Sequence, residues 1–497
     1  MTIIEIIRRR ADEFPSDVAI RWNGGSWTAR QLYERILGAA DQLTASGILR
    51  GDRVAIHAGN CPGFITALLG CFAVGAIAVP VNNRFKAPEI GDLFARVSPS
   101  LYVGSDAFTR VAFGGSPTLL TTPCLMLPSV GFPERRARHA SNDYSSEPSR
   151  PCLLLATSGS TGTPKIVVHT EATLITIATR YSAFGLASGD TMLNASPMVH
   201  AGGLFNLLAS LCGRGSMVLL GKFDAHEVLD AIERYKCTWY KGLPFMFSEI
   251  AKLQSERPRD VGSLRLAICT GDKCPDQIRE KFEQTLGIRL HTGWASTEAA
   301  TSLVYDRDFQ DQYVLHDGVE GKLLAVDGAK VANGEAGELW LRGQNVSPDY
   351  WEHDSNSAAA NGGWFATGDL MRFVGPRNLR FAGRLKNLIV RGGSNISPVE
   401  VEDVLRTCEL VSDVAVFGLP NLALGQRVMA LVELKEGADP SLLDEALIPV
   451  LSRLSDYKTP ELIEVVKSLP RTANGKTDRA RLVEAFEASR ATMAHAS

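Results

Sequence analysis

One stretch of this sequence crowds hydroxyls, glycines and a lysine together: Thr157-Ser158-Gly159-Ser160-Thr161-Gly162-Thr163-Pro164-Lys165. Gly159 and Gly162 let the backbone approach a ligand closely, and the exposed N–H groups and hydroxyls suit phosphate oxygens. Lys165 adds a point charge. An ordinary Gly/Ser/Thr turn would have the same composition. A Walker A loop would not, because it needs Gly-Lys-Ser/Thr ahead of a helix, and here Pro164 precedes Lys165 and Ile166 follows it. If the loop holds a nucleotide, it does so outside the P-loop NTPase pattern.

Other groups with chemical potential lie downstream. His200 stands before Ala201-Gly202-Gly203, where consecutive glycines admit a ligand; a lone histidine satisfied by hydrogen bonds is the ordinary alternative. In Thr292-Gly293-Trp294-Ala295-Ser296-Thr297-Glu298, Glu298 is a hard carboxylate suited to Mg²⁺ and Thr297 offers a hydroxyl to a phosphate oxygen. Ser-Thr-Glu equally fits a helix N-cap. In Trp364-Phe365-Ala366-Thr367-Gly368-Asp369, the carboxylate of Asp369 is a bidentate acceptor for a diol, or else a turn residue after glycine. Lys476 follows Asn474-Gly475, which by itself reads as a solvated turn. No Ser-His-Asp pattern suggests a nucleophilic triad.

The elements that must position these groups alternate between helix and strand at the short spacing of α/β folds. Cys152–Ala156 and Ile166–Val168 read as strands flanking the first loop. Thr28 and Gln31 read as a capping box opening a helix with Leu32, Ile36, Ala39, Ala40 and Leu43 on one face. Val54–Ile56 and Ile77–Val81 read as strands, with a helix over Phe64–Val74 stopped by Gly75 between them. Met217–Leu220, Thr238–Tyr240, Leu264–Thr270 and Gly337–Gly343 are further strands, and Asp224 with Glu227 opens a helix. Ser397-Pro398-Val399-Glu400 reads as a capping box with proline at the first helical position. Strands over Ala415–Gly418, Val428–Leu434 and Leu462–Val466 close the pattern. Pro133–Pro151, with Arg135, Arg136 and Arg138, reads as an exposed, solvated loop.

The 497 residues exceed one core, so at least two domains are expected. A net charge of -3 gives no basic surplus for nucleic acid. Nine scattered cysteines without a CxxC pair, and no signal peptide, predict free thiols in a cytoplasmic protein. No stretch is apolar enough to span a membrane.

Taken in chain order, these motifs resemble those of the adenylate-forming superfamily of acyl-CoA synthetases, peptide-synthetase adenylation domains and beetle luciferases. The resemblance covers about two thirds of the chain. It implies an α/β fold with a large N-terminal domain of α/β subdomains, residues 1–383, and a small mobile α+β C-terminal domain, residues 384–497, hinged near Lys386. It implies that Thr157, Ser158, Gly159, Ser160, Thr161, Gly162, Thr163 and Lys165 bind the phosphates of ATP, that Thr297 and Glu298 hold phosphate and Mg²⁺, that Asp369 takes the ribose, and that Arg384 reaches the ribose or phosphate. Gly271, Asp272 and Lys273 occupy a turn lining adenine and acyl group, the last two replacing smaller residues of the family. Trp294 stands where a tyrosine stacks on adenine, and Ala295 replaces a glycine. Lys476 would be the catalytic lysine, and Gly392 and Gly393 would form the turn beside the channel for coenzyme A.

The implied acyl pocket comprises His200, Gly202, Gly203, Phe205, Tyr240, Lys241, Phe245, Thr270 and Ser296. Such a mix accepts an aromatic, cyclic or medium-chain acid, and Lys241 or Lys273 would clamp a second anionic group only if turned inward. The implied reaction activates a carboxylic acid with ATP to an acyl-adenylate and passes the acyl group to CoA, releasing AMP and pyrophosphate. The alternatives are loading of a carrier-protein phosphopantetheine, a luciferase-like oxygenase, or a non-catalytic acyl- or nucleotide-binding descendant. A monomer or homodimer is the family expectation.

Overall fold

The computed structural model describes residues 1–113, 122–135, 147–157, 164–271, 274–325, 327–332, 334–352, 357–391, 394–421, 424–454, 456–471 and 477–486. Among these residues the strands form four sheets.

The first sheet runs in the order Leu290–Gly293, Leu266–Thr270, Trp239–Gly242, Thr191–Asn194, Ser216–Leu219, Val18–Trp22 and Gly25–Thr28. All of its pairs are parallel except the terminal hairpin. The second sheet runs Cys124–Met126, Leu101–Gly104, Arg53–His57, Ile77–Pro80, Pro151–Ala156 and Ile166–Thr170. It is parallel up to its last pair, which is antiparallel. That hairpin flanks the Ser/Gly/Thr stretch, as the apolar run Cys152–Ala156 and the β-branched run Ile166–Val168 predict. Thr157 closes its base by donating from its backbone N–H to the carbonyl of Lys165 at 2.8 Å.

Helices cover these sheets because their apolar residues recur at helical spacing. The helix Ala29–Ala45 opens with the reciprocal capping box of Thr28 and Gln31, and Leu32, Ile36, Ala39, Ala40 and Leu43 are all fully buried. Each large apolar side chain so buried contributes roughly 1.5–3 kcal/mol. Pro62–Val74 ends on Gly75 at φ +72, a left-handed cap that glycine adopts at little cost.

The third sheet is antiparallel and carries Leu303–Tyr305, Gln312–Leu315, Asn378–Arg384, Phe365–Phe373, Ala336–Gly343 and Val319–Leu324 in that order. The fourth belongs to a separate C-terminal domain: Ser394–Ile396, Ile389–Arg391, Gly425–Leu434 and Val411–Asn421, with Leu462–Val465 paired in parallel on Gly425–Leu434.

Several local expectations are corrected. Ser397 does not cap the helix Pro398–Leu405; its hydroxyl donates instead to the carbonyl of Ala382 at 2.6 Å, because that tertiary acceptor outcompetes the helix end. Asp369 lies inside a nine-residue strand rather than in a turn. Ser296-Thr297-Glu298 opens no helix, since the chain runs irregularly from Trp294 to Ala300. Arg135 is not solvated: it forms a two-pronged ion pair with Asp41, and its side chain is 13% exposed. Arg136 and Arg138 lie outside the described residues.

Candidate active site

The parallel strands of the first sheet end at Asn194, Leu219, Gly242, Thr270 and Gly293, the edge at which open α/β sheets receive ligands. The chain leaves Gly293 into Trp294–Glu298, which crosses toward the second sheet. There Tyr350 donates its hydroxyl to Glu298 Oε1 at 3.1 Å, and Lys165 Nζ lies 4.7 Å from the centre of the Tyr350 ring. The segment around Tyr350 is fixed by backbone bonds to the Lys165 strand, from Trp351 N to the Ile166 carbonyl at 2.8 Å and from Val168 N to the Asp349 carbonyl at 3.1 Å. Tyr350 thus ties the phosphate-loop lysine to the acidic residue. Burial raises the pKa of Glu298, against hydrogen bonds from its own backbone N–H, Tyr350 and Ser296 and the charge of Lys165. A desolvated carboxylate is stabilised by a cation.

His169, at the end of the Lys165 strand, is fully buried and supports the same segment. Its Nε2 lies 3.1 Å from the Thr297 carbonyl and its Nδ1 3.4 Å from Thr173 Oγ1. The Thr297 carbonyl can only accept, so Nε2 carries a proton, and burial lowers the ring's pKa to about 4.

On the other side of Trp294 sits a second cluster. The indole N–H donates to Asp369 Oδ2 at 2.8 Å, while Arg384 Nε lies 3.0 Å from Asp369 Oδ1. Asp369 and Arg384 are direct cross-strand neighbours, and Asp369 and Trp294 are both buried. The three residues that the sequence assigns to adenine and ribose therefore meet in one place.

The acyl residues divide. His200 begins the helix Ala201–Cys212, and its loop is pinned from the second sheet: Asn60 donates to the carbonyls of Ser196 and Leu220 at 2.9 and 3.0 Å and accepts from Met198 N at 2.8 Å. A Cβ on Gly203 would lie 2.6 Å from the carbonyl oxygens of both Ser196 and Pro197, so only glycine lets the loop pack on the helix. A Cβ on Gly202 would meet nothing within 4 Å. Burial, and then Arg84, lower the pKa of His200, which is therefore neutral at pH 7.

Lys241 and Thr270 share the sheet face on which Asn194 lies. Tyr240 points to the opposite face, fully buried, with its hydroxyl 3.5 Å from Met246 Sδ. Phe205 is buried with its ring edge-on to His169, and Phe245 is 37% exposed against Phe223. The structure does not bring Tyr240 or Phe245 to the face of Lys241.

Ser158–Thr163, Asp272, Lys273, Gly392, Gly393 and Lys476 lie outside the described residues. The stems of the Lys476 loop are held by charge. Arg471 reaches Asp413 at 2.6 Å, and Arg479 reaches both oxygens of Glu402 at 2.8 and 3.1 Å. Arg406 joins the two carboxylates, 3.2 Å from Asp413 Oδ1 and 3.8 Å from Glu402 Oε2. Lys386 lies in the single turn Leu385–Asn387 that joins the third sheet to the fourth. Sequence reasoning missed Asn60, His169, Tyr181, Asn206 and Tyr350. Each is a single side chain on its own element, with no motif around it beyond the aromatic pair Tyr350-Trp351.

Fold and site define an enzyme of the adenylate-forming class. The chain belongs to the AMP-binding enzyme family, whose model matches residues 7–351, and the model of the AMP-binding enzyme C-terminal domain matches residues 400–476. Feruloyl-CoA synthase of Amycolatopsis is 32% identical over 480 residues, covering 94% of this chain and 96% of that protein. Indoleacetate–CoA ligase of Aromatoleum aromaticum is 30% identical over 495 residues, covering 96% of each. Among solved structures, the anthranilate CoA ligase AuaEII in complex with anthranoyl-AMP superposes with a TM-score of 0.86 at 24% identity, covering 98% of this chain and 97% of that one. ATP-bound MatB from Rhodopseudomonas palustris gives the same TM-score and identity, with 98% and 99% covered.

Proposed function

We propose that this chain is an AMP-forming acid–CoA ligase: a carboxylate oxygen attacks the α-phosphorus of ATP, pyrophosphate leaves, and the CoA sulfur then displaces AMP from the acyl carbon. Family membership and CoA ligases among the relatives support the reaction class. The observation that carries the site assignment is the convergence on the Trp294–Glu298 segment of Lys165 and Tyr350 from one side and of Asp369 and Arg384 from the other. The first group suits phosphates and the second suits a ribose.

The carboxylate is a poor nucleophile toward a phosphate already dense in negative charge, so the residues must offset repulsion as the attacking oxygen closes. Lys165 supplies charge at the phosphate loop, Arg384 lies on the ribose side, and Lys476 would enter with the C-terminal domain. Glu298 fits a Mg²⁺ ion carried by ATP: it is desolvated and hard, and the described residues contain no cluster of three or more candidate metal ligands. One protein carboxylate plus phosphate oxygens is the usual Mg²⁺ arrangement. That ion would neutralise phosphate charge. Neutral His200 would border the acid without adding charge.

We place the domain boundary after Gly383, with Lys386 as the hinge and the Gly392-Gly393 turn at the pantetheine arm. Gly383 itself holds φ +134 and lies so close to Ser397 that a Cβ would come within 2.4 Å of its hydroxyl, so the junction is built for glycine. We place the enzyme in the cytoplasm as a monomer or homodimer, where its nine free thiols remain reduced.

The test is mass-spectrometric detection of AMP and acyl-CoA with ATP, Mg²⁺ and CoA over a panel of carboxylic acids, with hydroxylamine trapping in parallel. Acyl-CoA is the expected product. Hydroxamate without acyl-CoA would move the acceptor to a carrier-protein phosphopantetheine.

A further inference from the structure

Lys241 heads a chain of hydrogen bonds with a fixed direction. Its Nζ donates to Tyr181 Oη at 2.7 Å; that hydroxyl donates to Asn206 Oδ1 at 3.2 Å. Asn206 Nδ2 donates to Asn194 Oδ1 at 3.3 Å, and Asn194 Nδ2 to the Ser196 carbonyl at 3.1 Å. Every acceptor in the chain is thus engaged by the donor before it. An ammonium has three N–H donors, and among the described residues this one uses a single donor in a hydrogen bond, so donors are what the head of the chain has to offer.

The tyrosine is backed by a second aromatic ring. Trp239, two residues earlier on the same strand and the same face, packs its ring against Tyr181 with centroids 6.0 Å apart. It is fully buried and its Nε1 is sealed, so Trp239 holds Tyr181 in place while Lys241, which keeps two donors unused among the described residues, is left to meet an oxygen from elsewhere. Lys241 also keeps accessible surface while burial brings its pKa down to about 7. The surface it exposes therefore lines a recess inside the domain rather than open solvent.

Lys241 is the next-to-last residue of the strand two places across the sheet from Gly293, which leads into Trp294–Glu298. Two strand spacings are about 10 Å. We propose that the acid substrate carries an uncharged oxygen acceptor, a hydroxyl or ketone about 10 Å from its reacting carboxylate, which Lys241 holds by hydrogen bonds. A remote carboxylate is disfavoured, because burial already works against the Lys241 charge, and a buried ion pair needs more donors around the anion than one amine supplies. This inference rests on the acid–CoA ligase reading above and names the substrate class of that site.

The test uses matched acids that differ by one remote oxygen: 3-phenylpropanoate with 3-(4-hydroxyphenyl)propanoate, 3-cyclohexylpropanoate with its 4-oxo analogue, and octanoate with 8-hydroxyoctanoate. Pyrophosphate release and hydroxamate formation are followed for the wild type, Lys241→Met and Trp239→Phe, with thermal melting as a check on folding. The wild type is expected to favour the oxygenated member of at least one pair tenfold or more in kcat/KM. Lys241→Met should bring that ratio within about threefold, chiefly by losing rate on the oxygenated acid, and Trp239→Phe, which removes a donor that does not reach the acid, should keep the preference. Equal use of both members, a preference that survives in Lys241→Met, or turnover confined to acids outside these pairs overturns the proposal. Absence of hydroxamate with every acid, while ATP still binds, overturns the ligase reading instead.

Discussion

Asp369 illustrates how much a single side chain is asked to do. Both of its oxygens are engaged, one by the Trp294 indole and one by Arg384, so under the proposed assignment a ribose diol would meet a carboxylate whose orientation is already set. Trp294 then acts through its N–H as well as its ring. Trp294→Phe keeps an aromatic face and removes the donor, and a hydrogen bond to a charged group contributes about 1.5–3 kcal/mol. ATP affinity measured by calorimetry should fall roughly tenfold or more. An unchanged affinity would leave Trp294 with stacking alone. Lys476→Ala should abolish adenylate formation yet largely spare thioester formation from supplied acyl-adenylate; equal loss in both assays would remove its assigned role.

His169 makes a prediction about pH. Its folded pKa lies near 4, below the ordinary 6.5, so the unfolded chain takes up a proton that the native ring refuses. Stability contributed by the neutral ring is complete above about 6.5 and is lost as pH falls toward 4, at roughly 1.4 kcal/mol per pH unit. The melting temperature should drop between pH 7 and 5, and His169→Gln should show a shallower drop even if it starts lower.

At the scale of elements, the stems of the Lys476 loop are the clearest construction. Glu402, 3% exposed on the helix Pro398–Leu405, receives Arg479 and also the backbone N–H of Val416 at 2.9 Å. Asp413 receives Arg471 on the opposite stem. Breaking a buried ion pair from one side costs about 3–5 kcal/mol. Glu402→Gln should lower the melting temperature and slow adenylate formation more than thioester formation. A uniform slowing of both half-reactions would make the clamp a matter of domain stability alone.

The elements themselves were legible where the cause is local. Thr28 with Gln31, Gly75 and the β-branched runs around the phosphate loop specify their structures within a few residues of themselves. Motif residues such as Asp369, Glu298 and Trp294 were legible because their order resembles a family. The residues that position them were not. Asn60 meets Ser196, and Tyr350 meets Glu298, across long separations, and nothing near Asn60 or Tyr350 in sequence announces those partners. Ser397 misled because a capping pattern is local while the Ala382 carbonyl that claims its hydroxyl is not.

At the scale of the molecule, the described residues show where the two domains touch. Ser397 donates to Ala382 across the junction, and Gln277 Nε2 donates to the Val411 carbonyl at 3.3 Å. An open cleft of about 900 Å³, lined in part by Leu324, Phe381, Leu388, Val399 and Asp403, lies between the third sheet and the helix Pro398–Leu405. With the hinge proposed at Lys386, this contact would change as the C-terminal domain turned between two half-reactions.

The first sheet also has a history in time. Its edge hairpin, Val18–Trp22 and Gly25–Thr28, docks beside Ser216–Leu219, with Ile20 next to Met217. During synthesis the hairpin emerges early, and its partner strand follows roughly 200 residues later, on the order of 10–40 s at the pace of a ribosome. The second sheet, whose strands run between Arg53 and Thr170, can close in that interval from residues already made. The hairpin therefore waits unpaired while a later-made sheet forms, and until its partner arrives its apolar side is a surface for chaperones to guard.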